Sequence, residues 1–276
     1  MVKREAVGVL QKELQLSQRH AAAMVGANRS MLRRRPGAGR HPTLRARLRE
    51  LADAHPRFGY RRLAVLLRRG GLRVNRKAVL RAYRLENLAV RRRRGRKRTG
   101  LRLVLQPAAA PNQRWGLDFV ADALVSHRRI RVFTVVDECT RRCMALEVDT
   151  SLPAASITNH LDAVAFEHGY PKELLMDNGT EFTTTHFLGW AERHGIVLRF
   201  IQPGKPIQNA FTESFNGKLR DECLNQQLFF DLADARAKLS HWKRHYNEER
   251  PHSSLGQQTP MEFTHNLQQQ PQNQAV

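Results

Sequence analysis

The sequence predicts an α/β protein, a mixed sheet with helices on both faces, preceded by a small all-α region. Three observations predict it. Charge is divided unevenly: the 276 residues carry 47 Lys and Arg against 25 Asp and Glu, a net +22. Residues 1–107 hold 30 basic and five acidic side chains, whereas residues 108–276 hold 17 and 20. The two parts are separated by the block RRRRGRKR at 91–98 and the Pro-containing stretch PAAAPNQ at 107–113. Like charges at that density repel and do not pack. Beyond this boundary the apolar spacing changes from helical to short period-two runs alternating with helical stretches. The chain thus reads as a DNA-binding helical region at 1–90, a linker at 91–111, an α/β core at 112–265 and a polar, Gln-rich disordered tail at 266–276.

In the first region, LSQRHAAAMVGANRSMLRRR at 16–35 reads as a helix–turn–helix. Ser17 caps the first helix, Gly26 makes the turn, and Asn28 or Ser30 opens the second. A second unit follows: Tyr60–Leu67 is helical in spacing, Gly70-Gly71 breaks it, and Asn75 caps a helix over 76–83. Both second helices are basic. Arg76 and Lys77 stand at the start of one, where a major groove would meet them; plain helical hairpins in a basic bundle are the alternative. An excess of +25 in this segment implies a polyanionic partner, because each Lys or Arg placed on a phosphate releases counterions. Arg91, Arg92, Arg93 and Arg94 extend that surface. No run approaches the roughly 18 apolar residues of a membrane span, and the N-terminus MVKREAVGVLQKEL lacks a signal-peptide core. The expected location is cytoplasmic and nucleoid-associated, with no membrane partner. Cys139, Cys143 and Cys223 are too few for a disulfide framework, and no Cys/His pair stands at zinc-site spacing.

Within the core, Trp115, Leu117 and Phe119 share one parity and Gly116, Asp118 and Val120 the other, as in a strand. Strands over 130–136 and 143–148 follow, with turn residues at 137–142. A helix over 153–168 leads to a short strand, 173–176, ending at Asp177. A helix over 184–194, a strand over 196–201 and a helix over 209–224 complete the series. This is the order of ribonuclease-H-like domains.

Three carboxylates occupy places suited to chemistry. Asp118 lies inside an apolar strand, where a charge is expensive unless paired or bound to metal. Asp177 follows a strand and precedes Asn178-Gly179, a turn that exposes the carboxylate. Glu213 lies roughly opposite the apolar stripe of Phe211, Phe215 and Leu219 on its helix, and Arg220 is two turns along on its own face. Hard Mg²⁺ or Mn²⁺ prefers such oxygen ligands. Two ions about 3.5–4 Å apart serve in-line phosphoryl displacement. Singly, each acid also reads as a strand-edge, turn or surface residue. Asp137 and Glu138 read as turn residues, Glu181 and Asp221 as solvated neighbours, and Trp190 and Trp242 as core.

Thirty-five residues separate Asp177 from Glu213. That spacing joins the strings WGLDFV, MDNGTEF, IQPGKPIQNAFTESFNGKLRDECL and YNEERPHSSLGQQTPMEF. Together they resemble the OrfB-type DDE transposases of the insertion sequence three family, which are similar to retroviral integrases. The resemblance covers roughly residues 14–263 and is strongest over 112–263. It implies a ribonuclease-H-like integrase core that cleaves the ends of an insertion element and transfers the 3′-hydroxyl to DNA. It further implies that Asp118 and Asp177 bridge two Mg²⁺ or Mn²⁺ ions, that Glu213 completes the site, and that Arg220 contacts DNA. Lys205 and Asn209 match the loop that leads into the catalytic helix, with Lys205 either a backbone contact or an exposed loop residue with no such duty. The partners implied are element ends and target DNA, an upstream OrfA-type product joined by frameshift or bound in trans, and further copies of the chain on DNA. Val120 departs from a common threonine, and no cysteine precedes Cys139, so the zinc-binding domain of retroviral integrases is absent. A non-enzymatic DNA-binding repressor or inhibitor of transposition is the alternative, and a purely hydrolytic nuclease a narrower one.

Overall fold

The computed structural model describes residues 2–33, 42–90, 108–202 and 209–269. Arg91, Arg92, Arg93, Arg94 and Lys205 lie outside the described residues. The chain divides into two compact units, Met1–Ala46 and Arg47–Val276, a boundary that falls inside the stretch that charge alone groups as 1–90.

The first unit holds α1 (Val2–Glu13), α2 (Gln18–Met24) and α3 (Arg29–Arg33). Ser17 caps α2 by accepting from the His20 amide, Gly26 takes φ +61° in the turn, and Asn28 Oδ1 accepts from the Ser30 amide at 3.0 Å. These are the residues whose short polar side chains or missing Cβ suit them to the task. Lys3 and Arg4 of α1 donate to the carbonyls of Gly26 and Leu32.

Helix α4 (Pro42–Ala54) runs across the division, and the second unit continues with a hairpin of α5 (Tyr60–Arg69) and α6 (Arg76–Leu85). Asn75 caps α6 through the Lys77 amide at 2.8 Å. Three strands then form an antiparallel meander: β1 (Arg114–Ala123), β2 (Arg129–Asp137) and β3 (Cys143–Asp149). Asp137 closes the β2–β3 turn by accepting from the Thr140 amide at 2.7 Å. Helix α7 (Ala154–His168) leads to β4 (Glu173–Met176), and α8 (Thr185–Arg193) leads to β5 (Val197–Phe200). β4 pairs parallel with β1 and β5 parallel with β4, giving the order β3-β2-β1-β4-β5. Hairpin turns suffice for the meander, whereas parallel pairs need the intervening helices.

Strand parity fills both faces. Trp115, Leu117, Phe133 and Val135 pack under Ile157 and Leu161 of α7 and Phe187 and Trp190 of α8. On the other face Val120, Val132 and Leu146 meet Phe215 and Leu219 of α9 (Ala210–Glu222) and Leu239 and Trp242 of α10 (Leu232–Arg244). Burying each such side chain contributes about 1.5–3 kcal/mol. A π-helical turn, His245–Glu249, extends α10, and α11 (Pro260–Gln269) closes the described chain. Residues 266–269, read from sequence as the start of a frayed tail, are the last turn of α11. Among the described residues no helix is long and apolar enough to cross a membrane.

Candidate active site

β1 carries Asp118, and Asp177 directly follows β4. The register of the two strands pairs Gly116 with Leu175, and two residues further along stand Asp118 and Asp177. Gly116 shares the parity of Asp118, and its missing side chain lets α9 approach. A Cβ there would lie 2.1 Å from Thr212 Oγ1, inside the contact distance. Thr212 is fully buried on α9, one residue before Glu213, so this close approach sets Glu213 above β1. Glu213 itself is exposed in the first turn, where a negative charge also suits the helix dipole.

Asp118 is half-buried. The Phe119 amide donates to its Oδ1 at 2.8 Å and Asn216 Nδ2 to its Oδ2 at 2.7 Å. Desolvation pushes its pKa up, and the like charges of Asp177 and Glu213 push it further, against the pull of those hydrogen bonds. Asp177 and Glu213 thus both stand close enough to act electrostatically on Asp118. Asp177 ends its strand in a tight turn, with the Gly179 amide donating to its Oδ1 at 3.0 Å. A Cβ on Gly179 would crowd that oxygen at 3.0 Å, so the glycine protects the carboxylate's orientation. Next along the turn, Glu181 forms an ion pair with Arg131, whose guanidinium sits 4.0 Å from the centre of the Phe119 ring. Arg131 lowers the Glu181 pKa and keeps it ionised beside the site.

The donor set fits hard divalent ions in type: three carboxylates, with no sulfur or imidazole among them. Among the described residues no three acidic, His or Cys side chains are gathered tightly enough to grip an ion. Both Asp118 oxygens accept hydrogen bonds, from the Phe119 amide and from Asn216, and these partly offset the like charges of Asp177 and Glu213.

The other expected residues are placed as follows. Arg220 is exposed on α9 and donates to the Ala121 carbonyl at 3.3 Å, beside β1. Asn209, expected at DNA, is 5% exposed, with Oδ1 over Gly116 and no hydrogen-bond partner among the described residues. Arg76 and Lys77 are exposed at the start of α6. Sequence reasoning did not assign Asn216 or Thr134 to the site. Asn216 lies three residues after Glu213, a helical spacing that flags it in retrospect. Thr134 is found only through the β1–β2 register, in which it faces Asp118.

Comparison with known proteins bears on the family and the fold. An integrase core domain profile matches residues 108–206, another of the same description matches 194–260, and an HTH-like domain profile matches 41–96. The chain is 45% identical over 276 residues to an uncharacterized 39.2 kDa protein of insertion element IS476 from Xanthomonas euvesicatoria, covering 99% of this chain and 80% of that one. It is 44% identical over 262 residues to a 31.7 kDa protein of insertion element IS407 from Burkholderia multivorans, covering 93% and 94%. A transposase for insertion element IS2D from Escherichia coli is 28% identical over 237 residues, covering 79% and 76%. In a cryoEM structure of the simian T-cell lymphotropic virus intasome, one chain matches with a TM-score of 0.50 at 15% identity, covering 79% of this chain and 74% of that one. That likeness bears on the fold alone.

Proposed function

The chain belongs to the OrfB-type transposases of the insertion sequence three family, and we propose that it cleaves the ends of its element and joins the freed 3′-hydroxyl to DNA. The observation that carries this reading is the juxtaposition of Asp118 on β1 and Asp177 just past the end of the neighbouring parallel strand β4, with Glu213 presented by α9 close enough to raise the Asp118 pKa. Asp118, Asp177 and Glu213 would hold two Mg²⁺ or Mn²⁺ ions, which supply charge stabilisation to the attacking and leaving oxygens.

The chain's own residues do the positioning. Asn216 and the Phe119 amide fix the Asp118 carboxylate, and the Gly179 amide fixes Asp177. Arg220, two turns from Glu213 on the same helix, is suited to the phosphate backbone beside the scissile bond. Lys205, a few residues before α9 in the sequence, adds a second backbone contact. Arg76 and Lys77 of α6 engage element-end DNA, and Arg91, Arg92, Arg93 and Arg94 add sequence-independent affinity. An upstream OrfA-type product, fused or bound, and further copies of this chain assemble with it on DNA in the bacterial cytoplasm.

The test is a labelled element-end duplex incubated with a target DNA, Mg²⁺ and the chain, both alone and together with the upstream OrfA-type product. End cleavage followed by a joined product supports the proposal. Hydrolysis without joining would point to a nuclease, and tight binding without cleavage to a repressor; either result contradicts it.

A further inference from the structure

Beside the triad, on the next face of α9, a groove of about 670 Å³ opens between the start of α5 and the helix surface formed by Ser214, Gly217 and Lys218. Helical phase puts Gly217 one turn from Glu213 and nearly in line with it, so the groove begins where the candidate active site ends. Its floor is smooth: a Cβ on Gly217 would meet nothing within 4 Å.

The groove carries more positive charge than its acids answer. Arg57 is taken up by Asp221 at 2.8 Å. Glu222 is taken up by Arg250 at 2.6 Å and shared with Arg62 at 3.5 Å. Among the described residues no carboxylate lies within ion-pair distance of Lys218 or Arg61. Lys218 donates only to the Ser214 hydroxyl at 3.0 Å, and Arg61 to the Tyr60 hydroxyl at 3.3 Å. Burial first, and then the neighbouring Arg250, push the Lys218 pKa down to about 8. A half-buried ammonium flanked by guanidinium groups is the setting that an incoming anion relieves.

We propose that this groove holds the backbone of a single DNA strand as it leaves the catalytic site, with phosphates on Lys218 and Arg61 and a base stacked on Tyr60. The inference rests on the transposase reading and extends it to the strand's path. A cationic groove with an aromatic ring at its rim is the arrangement that binds unpaired strands with little regard to sequence. The volume is that of a small-molecule cleft, enough for a few nucleotides of one strand.

Fluorescence anisotropy on the full chain in EDTA, with a short labelled oligo-dT and a duplex of equal length, tests it. Lys218→Met keeps the aliphatic stem and removes the charge. It is expected to weaken oligo-dT binding several-fold and to cut the salt-dependence slope by about 0.7. Tyr60→Ala is expected to weaken oligo-dT binding roughly tenfold. Duplex binding stays unchanged in both. Arg61→Ala, exposed at the rim, gives the same reduction should Lys218→Met disturb folding. Wild-type oligo-dT affinity in these variants, or an equal loss with the duplex, overturns the proposal. Loss of oligo-dT binding in a chain that never joins strands would overturn the transposase reading and leave the groove standing. Strand joining alongside unaltered oligo-dT binding in the variants would do the reverse.

Discussion

Asn216 Nδ2 donates to Asp118 Oδ2 at 2.7 Å, tying the helix that presents Glu213 to the strand that presents the first aspartate. The carboxamide is itself oriented: Thr134 Oγ1 lies 3.2 Å from Asn216 Oδ1 and 3.1 Å from the Asp118 carbonyl. Asn216→Ala therefore frees the carboxylate to rotate while leaving its charge in place. Metal affinity and strand cleavage are expected to fall by roughly 10–100-fold, the usual effect of losing a partner that orients a ligand. DNA affinity, measured alongside, is expected to stay near wild type.

The seating of α9 depends on Gly116. Its replacement by Ala puts a methyl group 2.1 Å from Thr212 Oγ1, so helix or strand must move. We expect a loss of about 1–3 kcal/mol in urea unfolding, as for other overpacked sites, with a fall in cleavage because Glu213 moves too. Thr212→Ala removes the offending hydroxyl, and the double variant should regain part of both losses. Additive losses would show that the clash is not the cause.

Arg250 is 1% exposed and makes two hydrogen bonds to Glu222, at 2.7 and 2.6 Å. Arg250→Met leaves that carboxylate buried with Arg62 alone, 3.5 Å away. A destabilisation of about 3 kcal/mol is expected in thermal or urea unfolding. Adding Glu222→Gln should restore part of it, since the neutral amide does not need the lost charge.

The Glu173 carboxyl is held down to about 2, first by Arg199 and then by Arg114, which bind it at 2.7 and 2.8 Å. Its ordinary value is 4.5, so the folded state binds the proton less readily than the unfolded chain. The stability it contributes is complete above that value and is lost as pH falls toward about 2. Glu173→Gln is expected to flatten the acid limb of the stability curve relative to wild type, measured by urea midpoints across that window. An unchanged difference between the two proteins at all pH values would contradict this.

Much of the core was legible because local rules and tertiary packing agree there. The parity of Trp115, Leu117 and Phe119, the Asp-Asn-Gly turn at 177–179 and the caps at Ser17, Asn28 and Asn75 each report a local geometry, and each stands where local rules place it. The Gly116–Thr212 approach was not legible, because a glycine in a strand does not announce which helix will cross it. Asn216 was hidden for a related reason: its partner is 98 residues away, and only the folded register brings them together. The burial of Asn209 went unseen because an Asn before a helix reads equally well as an exposed cap. Charge composition, for its part, registered only a basic N-terminal region. It did not show that Arg57, Arg62 and Arg69 are engaged by Asp221, Glu222 and Glu262.

The central claim is that three carboxylates on three elements form one metal-dependent site. The most direct measurement is strand cleavage and joining by Asp118→Asn, Asp177→Asn and Glu213→Gln, each compared with wild type in Mg²⁺ and Mn²⁺, with DNA affinity measured in parallel. The account predicts that each single change abolishes cleavage while DNA binding stays within a few-fold of wild type. Metal-dependent cleavage retained by any one of the three would contradict it.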